Sequence, residues 1–529
     1  MSKVNKLTNK MITEINKRIQ NKFNNKINIV ALIIISLIGF NACENKSDGI
    51  LMDKDNKVLL KVESDPTISF NIWFKVGSQN DPKGKEGLSY ITAMLLTDGA
   101  TKNNTYENIL DKLDPLAAYY SAKVDKEMTV IRGRVHKDNL EEYYTLLIDA
   151  IKSPAFDQGD LDRIVKNTIN YLENDLRYSS DEELGKEILY YKVFENTNYS
   201  HLTSGNITSL KSIKIEDVIK FYNQYYTKEN YVMGLGGGFD DNLVEKLEND
   251  LNQLPKGRPE GLIIKNNKIK GLQFQFIEKE NQATAISFGF PIDVLRGDED
   301  FFALALFNSW FGEHRNQSSH LYNVIREQRG LNYGDYSYIE IFLNGGSLSM
   351  PNPNNARKKQ IFEVWIRPVQ HIHRHFALRA ALRELKNVVD KGMDKDEFEK
   401  TKKFLHKYAL HYAPTTSDRL GYQIDSKFYN ISDNNDYIEH FRKEIEALTI
   451  EKVNKAIKKH IQYKNIQFSI ITTNSEQFIK DLVSDVESSI EYETPKSQEV
   501  LLEDNSIATF PIKVKRENCK VTKVEELFK

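Results

Sequence analysis

The stretch GKEGLSYITAMLL, residues 84–96, lies between a polar, glycine-marked loop and the turn signal DGA, and it reads as a helix. Tyr90, Ala93 and Met94 stand at the i, i+3, i+4 spacing that gathers side chains on one helical face. None of the three binds a metal well or moves a proton near neutral pH. The stretch therefore has the form of a working helix without reactive groups, and the rest of the chain must say what it is for.

Working outward, the chain repeats itself. TISFNIWF at 67–74 resembles AISFGFPI at 285–292, an offset of 285−67 = 218. IEDVIKFYNQYYTKEN from Ile215 resembles IEKVNKAIKKHIQYKN from Ile450, an offset of 450−215 = 235. Two repeats of about 220 residues follow, joined by the Pro/Gly-rich LPKGRPEG at 254–261. Alternating apolar runs such as ISFNIWFKV and FQFIEKENQATAISFGF predict strands. DLDRIVKNTINYLENDLR (160–177), with its stripe of Leu161, Val165, Ile169, Leu172 and Leu176, predicts one helix capped by Asp157 or Asp160. FALRAALRELKNVVDKG (376–392) predicts another, stopped by Gly392. Strands and helices neither alternate strictly nor segregate, so the fold class is α+β. The domain division is 1–43 signal, 44–253 first repeat, 254–271 linker, 272–486 second repeat and 487–529 tail, the tail charged and irregular and wrapping the outside.

Bulk composition narrows the function classes. Lys+Arg 73 against Asp+Glu 75 leaves a formal charge of -2, which gives no electrostatic case for nucleic acid. With only Cys43 and Cys519, no disulfide framework exists. INIVALIIISLIGF at 27–40, after a Lys/Asn-rich start, suits a signal-peptide core better than a membrane span. Cys43 stands directly after it, where a bacterial lipoprotein is cleaved and lipidated. The expectation is an exported protein of the cell envelope or periplasm, anchored to a membrane through Cys43.

The longer segment VGSQNDPKGKEGLSYITAMLLTDGATKN (76–103) resembles the signature of the insulinase-like zinc peptidases, the M16 family that includes mitochondrial processing peptidase and pitrilysin. The resemblance implies two homologous repeats, each an antiparallel sheet packed with helices, in a LuxS/MPP-like metallohydrolase fold. In the family the helix after this loop carries His-x-x-Glu-His, two zinc ligands and the base that activates water. Laid on this chain, those positions are Tyr90, Ala93 and Met94. The family's third ligand, a Glu about 77 residues on, falls at 94+77 = 171, which is Tyr171. All four positions are replaced, so the resemblance implies a degenerate zinc site and no metal held by this chain.

HLYNVIREQRGLNYGDYSY (320–338) resembles the family segment with an Arg and a Tyr seven residues apart, here Arg326 and Tyr333. In active relatives that pair leans over the zinc site and holds the substrate carbonyl and its oxyanion, a task that suits a guanidinium and a hydroxyl. Two-chain bacterial relatives divide the labour, with zinc on one subunit and the Arg/Tyr pair on the other. The resemblance thus implies a zinc-bearing paralogue as partner in a heterodimer, unfolded peptides as substrate, and no cofactor in this chain. A non-catalytic peptide-binding or scaffold protein is the alternative.

Three weaker signals favour structure. HIHRH (His371, His373, His375) lacks an intervening carboxylate and reads as a solvated basic patch at a helix start. GEHR, with Glu313 and His314, lacks a second His four residues on. GLGGG (234–238) follows a strand but opens no phosphate-binding helix, and reads as close backbone packing.

Overall fold

The computed structural model describes residues 56–259, 261–262, 264, 267–314, 316–342, 351–431 and 436–529. Cys43 and the apolar run before it lie outside the described residues. The described residues up to Pro259 and from Ile264 onward form one body, built as two α+β halves.

The first half carries β1 (Lys57–Lys61), β2 (Thr67–Phe74), β3 (Tyr119–Val124), β4 (Thr129–His136) and β5 (Tyr231–Gly237), in the spatial order β1-β5-β2-β4-β3. The second carries β6 (Leu272–Glu278), β7 (Thr284–Ile292), β8 (Gly334–Tyr338), β9 (Gln360–Val369), β10 (Ile466–Thr472) and β11 (Cys519–Lys523), in the order β11-β6-β10-β7-β9-β8. With β11 set aside, the two orders are the same. Equivalent strands keep the sequence offset, as β5 and β10 begin 466−231 = 235 residues apart. The sheets are not antiparallel throughout, however. β1 runs parallel to β5, and β6 runs parallel to both β10 and β11. A parallel neighbour needs a long crossover, and the helices between β1 and β5 or between β6 and β10 supply one.

Each sheet is covered on one face by helices of its own half and on the other by a helix from the opposite half. The Asp181–Val193 helix packs on β7 and β10, and the Thr416–Phe428 helix packs on β1, β2 and β5. These two helices are equivalent, with Leu184-Gly185 matching Leu420-Gly421 at 421−185 = 236. This exchange explains GLGGG. A Cβ on Gly234 would stand 3.2 Å from Ile424, and one on Gly236 would stand 3.1 Å from Thr416, both on the crossing helix. Glycine lets that helix sit close on the sheet. Polar contacts reinforce the seam. Thr416 donates to Asp65 at 2.6 Å, Tyr190 donates to Glu363 at 2.7 Å, and Arg357 Nε donates to Asp125 at 2.6 Å, the last pair fully buried.

Two expectations from the pattern of residues change. The 160–177 stretch is not one α-helix: Gln158–Asn170 is α-helical with Asp157 as its cap, and Tyr171–Ser179 continues as a π-helix. Within the α-helical part the buried stripe runs through Leu161, Ile164 and Thr168, while Val165 and Ile169 are only partly buried. The tail is not irregular either. Gln498–Ala508 is a helix and Cys519–Lys523 is β11 on the free edge of β6. Beyond it Val524 and Leu527 enter the first half's core, and Ile207 N–H donates to Phe528 O at 2.8 Å. Few apolar residues carry these contacts, which is why the local composition reads as surface.

Candidate functional site

The Leu88–Thr97 helix is set by its entry. Gly87 has φ of 95°, and a Cβ there would meet Ser204 O at 2.7 Å. The Asp81 carboxylate accepts from the N–H groups of Gly87 and Ser89, each at 2.7 Å, and so satisfies first-turn donors. Against this helix packs the Gln158–Asn170 helix, which delivers Tyr171 at the start of the π-helical turn.

Tyr90, Ala93 and Met94 form a packing surface, while Tyr171 is 42% exposed. Ala93 is fully buried, and Tyr90 and Met94 lie half-buried against the first-half core. Burial, with the charge of Asp98, raises the Tyr90 phenol above its ordinary value. Tyr171 is pushed up to about 12, by burial first and then by the carboxylates of Glu187 and Glu183 and by Tyr90 itself. Both phenols are therefore neutral at physiological pH and poor partners for a divalent ion. Met94 offers a soft thioether and Ala93 nothing. These side chains do not fit a catalytic zinc. Among the described residues no cluster of three His, Cys, Asp or Glu could hold a metal ion.

Arg326 and Tyr333 are neighbours of a different kind. Arg326 lies on a second π-helical turn, Tyr322–Glu327, and Tyr333 immediately precedes β8. Arg326 Nη1 donates to the Tyr322 hydroxyl and, at 3.2 Å, to the Tyr333 carbonyl oxygen. Its guanidinium carbon stands 4.7 Å from the Tyr322 ring centre and 5.5 Å from that of Tyr333. Tyr333 is 72% exposed. Together they line a cavity of about 320 Å³ with Gln317, Tyr336 and Arg367. Arg367 forms an ion pair with Glu182, in the first turn of the crossing Asp181–Val193 helix. Reading the sequence for chemistry misses Arg367 and Tyr322. The i, i+4 spacing of Tyr322 and Arg326 is a local signal that could have found the latter; no local signal marks Arg367, which reaches the cavity across the sheet.

The weaker signals are structural. His371 contacts Thr284 Oγ1 at 2.9 Å and the Asn281 carbonyl at 3.0 Å. His375 is buried and its imidazole is pushed down to about 4 by burial and then by Arg379. HIHRH is therefore not a solvated basic patch, because the helix that starts there turns Arg374 and His375 inward. Glu313 and His314 are buried too. Glu313 accepts from Ser309 at 2.7 Å and from Tyr412 at 3.1 Å, and burial raises its carboxyl to about 7.

With this geometry in view, comparison with known proteins is direct. Residues 57–204 match the family model for insulinase (peptidase family M16), and residues 212–405 match that for the peptidase M16 inactive domain. The chain belongs to the M16 peptidase family. The Helicobacter pylori protein named non-peptidase homolog YmxG is 24% identical over 414 residues, which cover 75% of this chain and 87% of that one. A crystal structure of a peptidase M16 inactive domain from Pseudomonas fluorescens superposes with a TM-score of 0.69 at 20% identity, covering 79% of this chain and 95% of the other. Both kinds of subunit of the Dictyostelium discoideum mitochondrial-processing peptidase, beta and alpha-1, are also similar, each 22% identical over 46% of this chain and covering 52% and 40% of their own lengths. The chain is thus an M16 member that carries a domain of the inactive type over residues 212–405.

Proposed function

We propose that this M16 chain is the non-metal subunit of a two-chain zinc metallopeptidase that degrades peptides in the cell envelope, exported and anchored through Cys43. One observation carries the reading. Tyr90, Ala93, Met94 and Tyr171 offer no charged or metal-binding group, while Arg326 and Tyr333 stay side by side on an open cavity. In this role the zinc belongs to a paralogue with an intact His-x-x-Glu-His. Arg326 supplies a fixed guanidinium and Tyr333 a phenol hydroxyl, donors suited to the carbonyl oxygen of a bound peptide as negative charge develops on it. Tyr322 and the Tyr333 carbonyl hold the guanidinium in place, which lowers its reorganisation during the reaction. The first half supplies wall and support.

The test is co-purification with such a paralogue, followed by a peptide-cleavage assay of each chain alone and of the two together. Cleavage is expected only from the pair, and chelator-sensitive cleavage by this chain alone would overturn the proposal. A peptide-binding or scaffold protein with no part in proteolysis is the second reading. The name of the Helicobacter pylori relative favours it, and a stable complex that binds peptides without cutting them would establish it.

A further inference from the structure

The cavity beside Arg326 carries a charge that holding a carbonyl oxygen does not require. Two guanidiniums, Arg326 and Arg367, line it, and among the described residues one carboxylate, Glu182, pairs with Arg367. Arg326 directs its hydrogen bonds to neutral oxygens, the Tyr322 hydroxyl and the Tyr333 carbonyl, and it enters no ion pair among the described residues. Arg367 Nε is buried and donates to no acceptor. Asp335, two residues after Tyr333, does not cancel this excess. It is fully buried, and burial drives its carboxyl well above the usual carboxylate range, against the lowering effect of an Asn332 hydrogen bond at 2.6 Å and of Arg326. Phenol rings at Tyr322 and Tyr333 flank the Arg326 guanidinium and fix its plane.

A planar, oriented guanidinium with spare donors, phenol hydroxyls around it and about 320 Å³ of open space is matched by a small planar anion. We propose that this cavity is a carboxylate pocket, taking either the terminal carboxylate of a peptide or the side chain of an Asp or Glu within one. The inference rests on the peptide-binding reading above and goes beyond it by giving the ligand a charge.

The experiment uses the purified chain alone and three eight-residue Ala/Ser/Gly peptides bearing an uncharged fluorophore at the amino end. One has a free carboxyl terminus, one is amidated and contains a single Glu, and one is amidated and neutral. Fluorescence anisotropy is expected to show at least tenfold tighter binding of a carboxylate peptide than of the neutral one. Which of the two carries the preference distinguishes terminus from side chain. Arg326→Gln is expected to erase the preference with melting temperature unchanged, and Arg326→Lys to keep part of it. Equal binding of all three, binding of none, or a preference that survives Arg326→Gln would overturn the pocket. Equal binding alongside cleavage by the two-chain complex sinks the pocket alone, whereas a clear preference with no cleavage by any complex sinks the subunit role and leaves the pocket standing.

Discussion

In the first half, the helix that opens the M16 signature turns a fully buried Ala93 and two half-buried side chains toward its own core. In the second half, the turn bearing Arg326 leaves Tyr333 72% exposed beside a cavity with two guanidiniums. Both places contain a π-helical turn, one under Tyr171 and another under Arg326. What differs is the value of the side chains outside a core. Tyr90, Ala93 and Met94 gain by burial, at about 25 cal/mol per Å² of apolar surface. A guanidinium and an exposed phenol gain little by packing, and their position is explained by what they meet in solvent. One region is packed structure and the other is an open surface lined by charged and phenolic side chains.

The sharpest way to break this comparison is at Arg326. In the two-chain complex, Arg326→Ala is expected to reduce turnover by about 10²–10³-fold, the loss typical of one preorganised donor. Steady-state kinetics with a peptide substrate measures it, and unchanged turnover would return Arg326 to a structural role. The matching test in the first half is Ala93→Glu, which installs the family's base at a sealed position. It is expected to destabilise the chain by about 2–4 kcal/mol, because a carboxyl is buried without a partner. Urea unfolding reads this, and a variant as stable as the parent would mean the site is open after all. Tyr333→Phe separates packing from chemistry: about a tenfold loss of turnover is expected, with stability within about 0.5 kcal/mol.

The remaining test concerns the seam that joins the two regions. Burial raises Glu363 from 4.5 to about 7, with hydrogen bonds from Tyr190 and Trp365 opposing the shift. Its folded-state value lies above its unfolded one, so the native state holds the proton longer. This group's contribution to stability is therefore full below pH 4.5 and declines as pH rises toward 7. Glu363→Gln is expected to flatten that decline by about 2 kcal/mol in unfolding measured between pH 5 and 7.5. An unchanged slope would assign the decline to other buried carboxyls, such as Glu187.

Much of this was legible in the residues. The offsets near 220–235 reflect two halves with one strand order, and the loop before residue 88 marked the helix because Gly87 and Asp81 dictate its entry. The vacant chemistry of Tyr90, Ala93, Met94 and Tyr171 needed only side-chain identity. The tail was misread because Cys519, Val524 and Leu527 are few among lysines and glutamates, and β11 draws its stability from an existing edge on β6. HIHRH misled for the converse reason, since a histidine's setting depends on which way its helix faces.

By itself, then, the sequence determined the α+β halves, the unreactive character of Tyr90, Ala93, Met94 and Tyr171, and the spacing of Arg326 and Tyr333, because these rest on local periodicity and on the chemistry of single side chains. Only the tertiary structure decided that a helix of each half lies on the other's sheet, that Arg367 lines the cavity while paired with Glu182, and that the tail closes onto the first half. Those contacts join residues separated by a hundred or more positions, and no local pattern encodes a distance that chain folding alone sets.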